Sequence, residues 1–176
     1  MIVKLDQPPS WPIESAWYGV RVRSNFEHVT AASLGAMGFD QFLPLTRARR
    51  RWSDRVKYVD QPLFPGYVFC RFGASSRIQV LGAPGVVNVV AFGSRPAPIP
   101  DEEINTIRTM VNSSRPVCPY PLLRPGQKVR LRRGPLSGAE GVVVEDKKQF
   151  RLVASIPLLQ RSVAVEIDRE WISPIA

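Results

Sequence analysis

Hydrophobic and polar positions alternate with a period of two from Ala16 to Arg23. Tyr18, Val20 and Val22 fall on one side, and Trp17, Gly19, Arg21 and Arg23 on the other. The stretch predicts a strand with one core-facing side and a second side that ends in two arginines. From Asn25 the period lengthens to three and four, as Phe26, Val29, Ala32 or Ser33, and Ala36 or Met37 recur. This spacing predicts a helix whose apolar face those residues form, with Ser24 or Asn25 to cap it and Gly38 to stop it. Residues 40–46 read as a further strand, which Pro44 assigns to an edge or a bulge.

The most informative segment runs Gln61-Pro62-Leu63-Phe64-Pro65-Gly66-Tyr67-Val68-Phe69-Cys70-Arg71-Phe72. Pro65 has no backbone N–H and Pro-Gly is a turn dipeptide, so the chain bends at 65–66 and runs extended beyond it. Val68, Cys70 and Phe72 then face one way, while Tyr67 and Phe69 face the other and are closed off by Arg71. Such a strand is either central in a sheet covered on both sides, or it shows an aromatic face to a partner. Alternation alone favours the first reading.

Residues 73–82, with Ile78, Val80 and Leu81, predict a short helix, and the β-branched run at 86–92 predicts a strand. Pro98 and Pro100 lead into Asp101-Glu102-Glu103, acids suited to a helix N-terminus. Ile104, Ile107, Met110 and Val111 follow at helical spacing, and the helix is expected to end near Asn112. The order βαββαβα predicts an α/β sandwich with an antiparallel sheet over residues 16–112, preceded by an aperiodic flexible arm at 1–15. Residues 113–123, with Pro116, Pro119 and Pro121, read as a linker. Five short strands at 126–131, 141–145, 150–156, 161–167 and 171–172 then predict a small β barrel over 124–176. Gly138 and Gly141 are assigned to turn geometry. The fold class is therefore α+β.

Charge changes this picture more than bulk composition does. With 44% hydrophobic residues there is ample core, but 24 Lys+Arg against 15 Asp+Glu give a net charge of +9. The pI near 10.3 favours a polyanion or an acidic protein as partner. Arg47, Arg49, Arg50, Arg51, Arg55 and Lys57 crowd around Trp52. They are either the solvated charges of an edge strand or phosphate contacts spread along an extended arm. No apolar run approaches the ~20 residues needed to span a bilayer, and Pro8, Pro9 and Pro12 interrupt any leader-like core. A cytoplasmic protein is expected. Cys70 and Cys118 are too few and too badly spaced for a metal site, and Cys70 is assigned to the core. His28, the single histidine, falls on the exposed side of its helix, and neither a nucleophile elbow nor a Gly-rich phosphate loop is found. The pattern is that of a binding protein with no cofactor rather than an enzyme.

Phe64-Pro65-Gly66-Tyr67-Val68-Phe69 resembles the signature strand of the NusG family of transcription elongation factors. Trp17-Tyr18, Ser24-Asn25-Phe26-Glu27, Pro84-Gly85-Val86 and Pro96-Ala97-Pro98-Ile99 are similar pieces at matching separations. Gly134-Pro135-Leu136 with Gly138-Ala139-Glu140-Gly141-Val142-Val143 resembles the KOW motif. The resemblance implies a ferredoxin-like amino-terminal domain and an SH3-like KOW barrel. It further implies that Phe64, Pro65, Tyr67 and Phe69 form a partly exposed patch, with Arg21 at its rim, for the clamp helices of the largest RNA polymerase subunit. Arg23, Arg47, Arg49, Arg50 and Arg51 would lie near the nucleic acid of the elongation complex, making contacts that do not read its sequence. Leu158 and Leu159 would form the barrel's site for a second partner, and the protein would work as a monomer.

The general factor carries an aromatic residue and a glycine near 158–160, where its barrel binds a ribosomal small-subunit protein or the termination factor Rho; Leu158-Leu159-Gln160 departs from that pattern. Gln61-Pro62-Leu63-Phe64-Pro65 and Leu158-Leu159-Gln160-Arg161-Ser162-Val163 resemble the operon-specific branch of RfaH- and UpxY-type factors. In the RfaH-like branch the carboxy-terminal module can also fold as a helical hairpin. Here Val142-Val143-Val144, Val153 and Val163-Ala164-Val165 favour β structure. A ribosome-associated or free RNA-binding KOW protein is the alternative function.

Overall fold

The computed structural model describes residues 15–51, 55–93, 95–120, 128–146 and 149–174. The expected arm up to residue 14, Trp52, and the Pro121 end of the expected linker lie outside these residues, as do the side chains at 49–51.

The chain runs β1 (Ala16–Val22), α1 (Glu27–Ala36), β2 (Asp40–Phe42), β3 (Leu45–Arg51), β4 (Val56–Pro62), β5 (Tyr67–Phe72), α2 (Arg77–Leu81), β6 (Val86–Val89), β7 (Ala91–Phe92), β8 (Arg95–Pro96), β9 (Pro98–Ile99) and α3 (Asp101–Asn112). It continues with β10 (Val117–Tyr120), β11 (Lys128–Leu131), β12 (Glu140–Asp146), β13 (Gln149–Ile156), β14 (Arg161–Ile167) and β15 (Ile172–Pro174).

In the first sheet β1 pairs antiparallel with β5 along one edge and with β6 and β9 along the other, and β2 lies outside β5. The second sheet is antiparallel throughout, in the order β10-β14-β13-β12-β11-β15.

The strand expected over 40–46 is split. β2 stops at Phe42, and β3 restarts at Leu45 in a separate ribbon with β4, in register from Leu45↔Pro62 to Arg51↔Val56. Pro44 has no N–H to extend the ladder, but its carbonyl accepts the Leu63 N–H at 2.9 Å and closes the ribbon's base.

The helix at 27–36 turns a different face to the sheet from the one expected. Glu27, Thr30, Ala31 and Leu34 are buried, whereas Phe26, Val29 and Met37 are exposed. Two of the inward positions are polar because they hold turns: Glu27 Oε1 accepts the Gly66 N–H at 2.8 Å, and Thr30 Oγ1 donates to the Pro84 carbonyl at 2.6 Å. Both Pro-Gly turns of the first sheet are thus pinned by one helix. Neither Ser24 nor Asn25 caps it; Phe26 takes the N-cap position with no side-chain hydrogen bond.

Part of the expected linker is a strand. Val117–Tyr120 pairs with β14 from Val117↔Val165 to Tyr120↔Ser162, although Pro119 lies within it. The second sheet is paired only on that side of β10, so a residue without an N–H is tolerated at the edge. Gly138 adopts φ +88, as a turn requires, but Gly141 does not belong to a turn. It sits in β12 opposite Val129, where a Cβ would fall onto the Val153 carbonyl.

One face of the first sheet is sealed by its own helices. Tyr18, Val20, Val22, Val68, Cys70 and Phe72 pack with Ala31 and Leu34 of α1 and Val80 of α2. The other face joins a larger cluster in which Trp17, Phe64, Phe69, and Ile104, Ile107 and Met110 of α3 pack together with Leu131, Leu152 and Ile156 of the second sheet and Leu159 of the turn between β13 and β14. Ile104, Ile107 and Met110 are fully buried, at about 1.5–3 kcal/mol each, and they fasten α3 between the sheets.

Candidate docking face

Alternation along β1 and β5 brings Trp17, Gly19 and Arg21 to the same side as Tyr67, Phe69 and Arg71, in the pairs Trp17↔Arg71, Gly19↔Phe69 and Arg21↔Tyr67. β2 adds Phe42 opposite Phe69. The Phe64 and Phe69 rings meet edge to face at 5.4 Å, and Phe42 lies 6.2 Å from Phe69. The turn before β5 is held from three sides. Tyr67 N–H donates to the Phe64 carbonyl at 3.1 Å, Val22 N–H to the Gly66 carbonyl at 2.9 Å, and Gly66 N–H to Glu27. The aromatic group therefore stands on a fixed backbone.

This face is not the partly exposed patch that the family resemblance implies; it is covered, as alternation alone favours. Phe64 is 1% exposed and Phe69 0%; Tyr67 is half-buried, and Pro65 and Arg21 are exposed. The cover comes from two directions. α3 lies over one end, where Arg108 stands 5.4 Å from the Trp17 ring and 5.0 Å from the Phe42 ring, and Asp101 pairs with Arg71 at 3.7 Å. The second sheet lies over the middle. A Cβ built on Gly19 would stand 3.3 Å from Leu159 Cδ2, so the missing side chain leaves the notch that Leu159 occupies. Arg161 stands 5.5 Å from the Tyr67 ring. The burial has a simple physical cause: both surfaces are apolar, and contact removes both from water. A hydrogen bond from Glu140 N–H to Thr106 Oγ1 at 3.4 Å joins β12 to α3.

Residues expected to meet separate partners are therefore brought together. Leu159 is buried at the centre of the contact, and Leu158 packs beside it, half-buried. Sequence reading missed Gly19, Glu27, Arg108 and Arg161. A glycine inside a strand is a recognised sign of close backbone approach, and Glu27 already stood in a family-like motif. For Arg108 and Arg161 the sequence holds no signal.

The basic residues lie apart from this face. Arg47 is exposed on β3 and approaches Asp60 at 3.9 Å, a solvated pair worth about 0–1 kcal/mol. Arg49, Arg50 and Arg51 stand opposite Tyr58, Lys57 and Val56 in the ribbon, and Tyr58 is 68% exposed. Arg23 is exposed at the end of β1, with its N–H on the Gly85 carbonyl at 2.8 Å. The ribbon's base reaches the second sheet through Thr46 Oγ1, which donates to the Val117 carbonyl at 2.6 Å.

A buried thiol and a half-buried carboxyl bear on the electrostatics. Burial, with Asp40 nearby, pushes the Cys70 thiol up to about 12. Partial burial also raises the Glu103 carboxyl, against the pull of Lys128 and with the push of Glu102.

Residues 15–108 match the family model described as "Transcription termination factor nusG". Among curated proteins, "Transcription termination/antitermination protein NusG" of Buchnera aphidicola is 30% identical over 169 residues, covering 86% of this chain and 92% of its own. The protein of the same name from Escherichia coli K12 is 30% identical over 173 residues, with the same coverage. A solved structure, "Domain interaction in Thermotoga maritima NusG", superposes with a TM-score of 0.53 at 23% identity, over 93% of this chain and 98% of that one.

Proposed function

Because the chain belongs to the NusG family of transcription termination/antitermination factors, we propose that it docks on RNA polymerase through Phe64, Pro65, Tyr67 and Phe69, with Arg21 at the rim. Its general role lies in transcription, and the family consists of transcription factors, not enzymes. In this reading the first sheet and its helices form a ferredoxin-like amino-terminal domain, and the second sheet is an SH3-like KOW module joined to it near residues 113–123. The clamp helices of the largest polymerase subunit are the partner of the aromatic face. The ribbon's arginines 47 and 49–51, with Arg23, lie along the nucleic acid of the elongation complex in the cytoplasm.

The observation that supports the reading is the aromatic trio Phe42, Phe64 and Phe69 on a backbone held by Glu27, with a cover drawn from the far half of the chain. A cover that is not part of the first sheet can leave it without unfolding that sheet. Polymerase and the second sheet then compete for one face, and Leu158 and Leu159 become available to a ribosomal small-subunit protein or to Rho only after the sheets part. No helical refolding is needed, because the second sheet is β structure while it covers the face.

The test uses the full chain, immobilised and presented in parallel with RNA polymerase free of nucleic acid and with ribosomes. Retention of polymerase is expected. Retention of ribosomes alone would replace this reading by the ribosome-associated, RNA-binding one.

A further inference from the structure

The outward side of α1 is apolar along its length. Phe26, Val29, Ser33 and Met37 stand three or four residues apart, with Ala32 and Ala36 beside them, so they share one side of the helix. Phe26 is 38% exposed, Val29 50% and Met37 48%. The titratable side chains between Phe26 and Met37 are Glu27, which is turned inward, and His28, which lies on the flank of the stripe. This is the recurrence expected to face the core, and it is left in water because two turns draw Glu27 and Thr30 inward instead. A surface helix ordinarily turns charge outward. Single exposed apolar residues need no cause, but an uncharged stripe running the length of a helix marks a contact surface.

The second sheet does not supply the cover, because it packs on the opposite face of the first sheet. Of the segments outside the described residues, 1–14 is the longest, and it holds Met1, Ile2, Val3, Leu5, Trp11 and Ile13. It also joins the sheet beside the helix. Asp40 and Trp17 both pair with Arg71, so they stand two strand spacings apart, about 10 Å, and Met37 precedes Asp40 by three residues. The six residues from Trp17 back to Trp11 span up to about 20 Å, which carries the indole to the Met37 end of the stripe. Six more lead to Leu5, again up to about 20 Å, against about 16 Å of helix from Met37 to Phe26. Pro8, Pro9 and Pro12 bias the residues before them to extended backbone, which suits a chain laid along a helix. A second copy of the protein is the weaker occupant, since a net charge of +9 opposes self-association. A segment on a short tether meets the stripe at an effective concentration of about millimolar.

We propose that residues 1–14 fold back over α1, with Trp11 seated against Met37 and Ser33 and with Leu5 against Val29 and Phe26. The aromatic face lies on the opposite side of the sheet, so this contact neither competes with polymerase docking nor rests on it.

The experiment follows the fluorescence of Trp11 in the full chain, taken as the difference between wild type and Trp11→Phe. The difference spectrum is expected to show the blue-shifted emission and the resistance to acrylamide quenching of an indole removed from water. The double variant Val29→Gln/Met37→Gln changes only exposed positions and keeps the buried side of the helix. It is expected to move the Trp11 emission to the red, to raise its quenching several-fold and to lower the thermal midpoint. In a Trp11→Ala background the same pair is expected to leave the midpoint nearly unchanged, because the effects of residues in contact do not add. A wild-type Trp11 that already emits like an indole in water overturns the proposal. So does protection that survives Val29→Gln/Met37→Gln, which would seat Trp11 elsewhere. Protection that fades on dilution, with a dimer in sedimentation, also overturns it and would assign the stripe to a second copy.

Discussion

Strand β5 is covered on both faces, and its two covers differ in kind. Val68 and Phe69 are both 0% exposed. Val68 lies under α1 and α2, which follow β1 and β5 closely in the chain and meet them with aliphatic side chains. Phe69 lies under α3 and a sheet from the far half of the chain, whose approach depends on the side chain missing at Gly19 and places Arg161 against Tyr67. A cation over a ring at a wet margin is worth about 0.5–1 kcal/mol, a contact that exchanges readily for water. Fractional burial is therefore the same for a face sealed by neighbouring helices and for one covered from the far half of the chain, where we propose that polymerase docks. What distinguishes them is the origin of the cover and whether its margin is polar.

The sharpest way to break this comparison is to truncate one side chain on each face. Phe69→Ala is expected to weaken polymerase binding by about 2 kcal/mol or more, roughly 30-fold, as interface aromatics do. Val68→Ala is expected to cost about 2 kcal/mol of folding stability and to leave polymerase affinity nearly unchanged. Titration against polymerase beside thermal melts reads both. Normal polymerase binding by Phe69→Ala would place docking elsewhere.

Loosening the cover is expected to act in the opposite direction. Leu159→Ala removes the side chain that fills the Gly19 notch, destabilises closure by about 2 kcal/mol, and is expected to tighten polymerase binding. Arg161→Gln, at an exposed position, is expected to do the same by about threefold. Unchanged affinity in both variants would mean that the cover does not compete with polymerase.

The smallest effect concerns the seam itself. Burial raises the Glu103 carboxyl, so the folded protein holds that proton more tightly than the unfolded chain does. Its contribution is fully present at acidic pH and is lost as pH rises from the usual carboxylate range through the raised value. Glu103→Gln, neutral throughout, is expected to raise the thermal midpoint slightly at neutral pH and to match the wild type below about pH 4. A gain that persists at acidic pH would assign the effect to packing instead.

Local pattern determined much of this protein. Period-two alternation located β1 and β5 and sorted their faces. The acids before Ile104 located α3, Pro65-Gly66 located the turn before β5, and the valines of the second half were enough to specify strands. These features depend on a few neighbouring residues, which is why they are legible without a structure. Helix α1 was legible in position but not in orientation. A search for apolar recurrence passes over a helix that turns Glu27 and Thr30 inward, and those residues are buried only because turns distant in sequence need their oxygens.

β10 was hidden by Pro119 and its flanking prolines, since an edge position tolerates a residue without an N–H and no local signal states where an edge will be. The state of the aromatic face was decided by tertiary structure alone. Beside Phe69, the notch at Gly19 is filled by Leu159 from across nearly the whole chain. Hydrophobic attraction carries no address: an apolar surface is written in the residues, but what covers it is settled only when all the surfaces that could do so are present together.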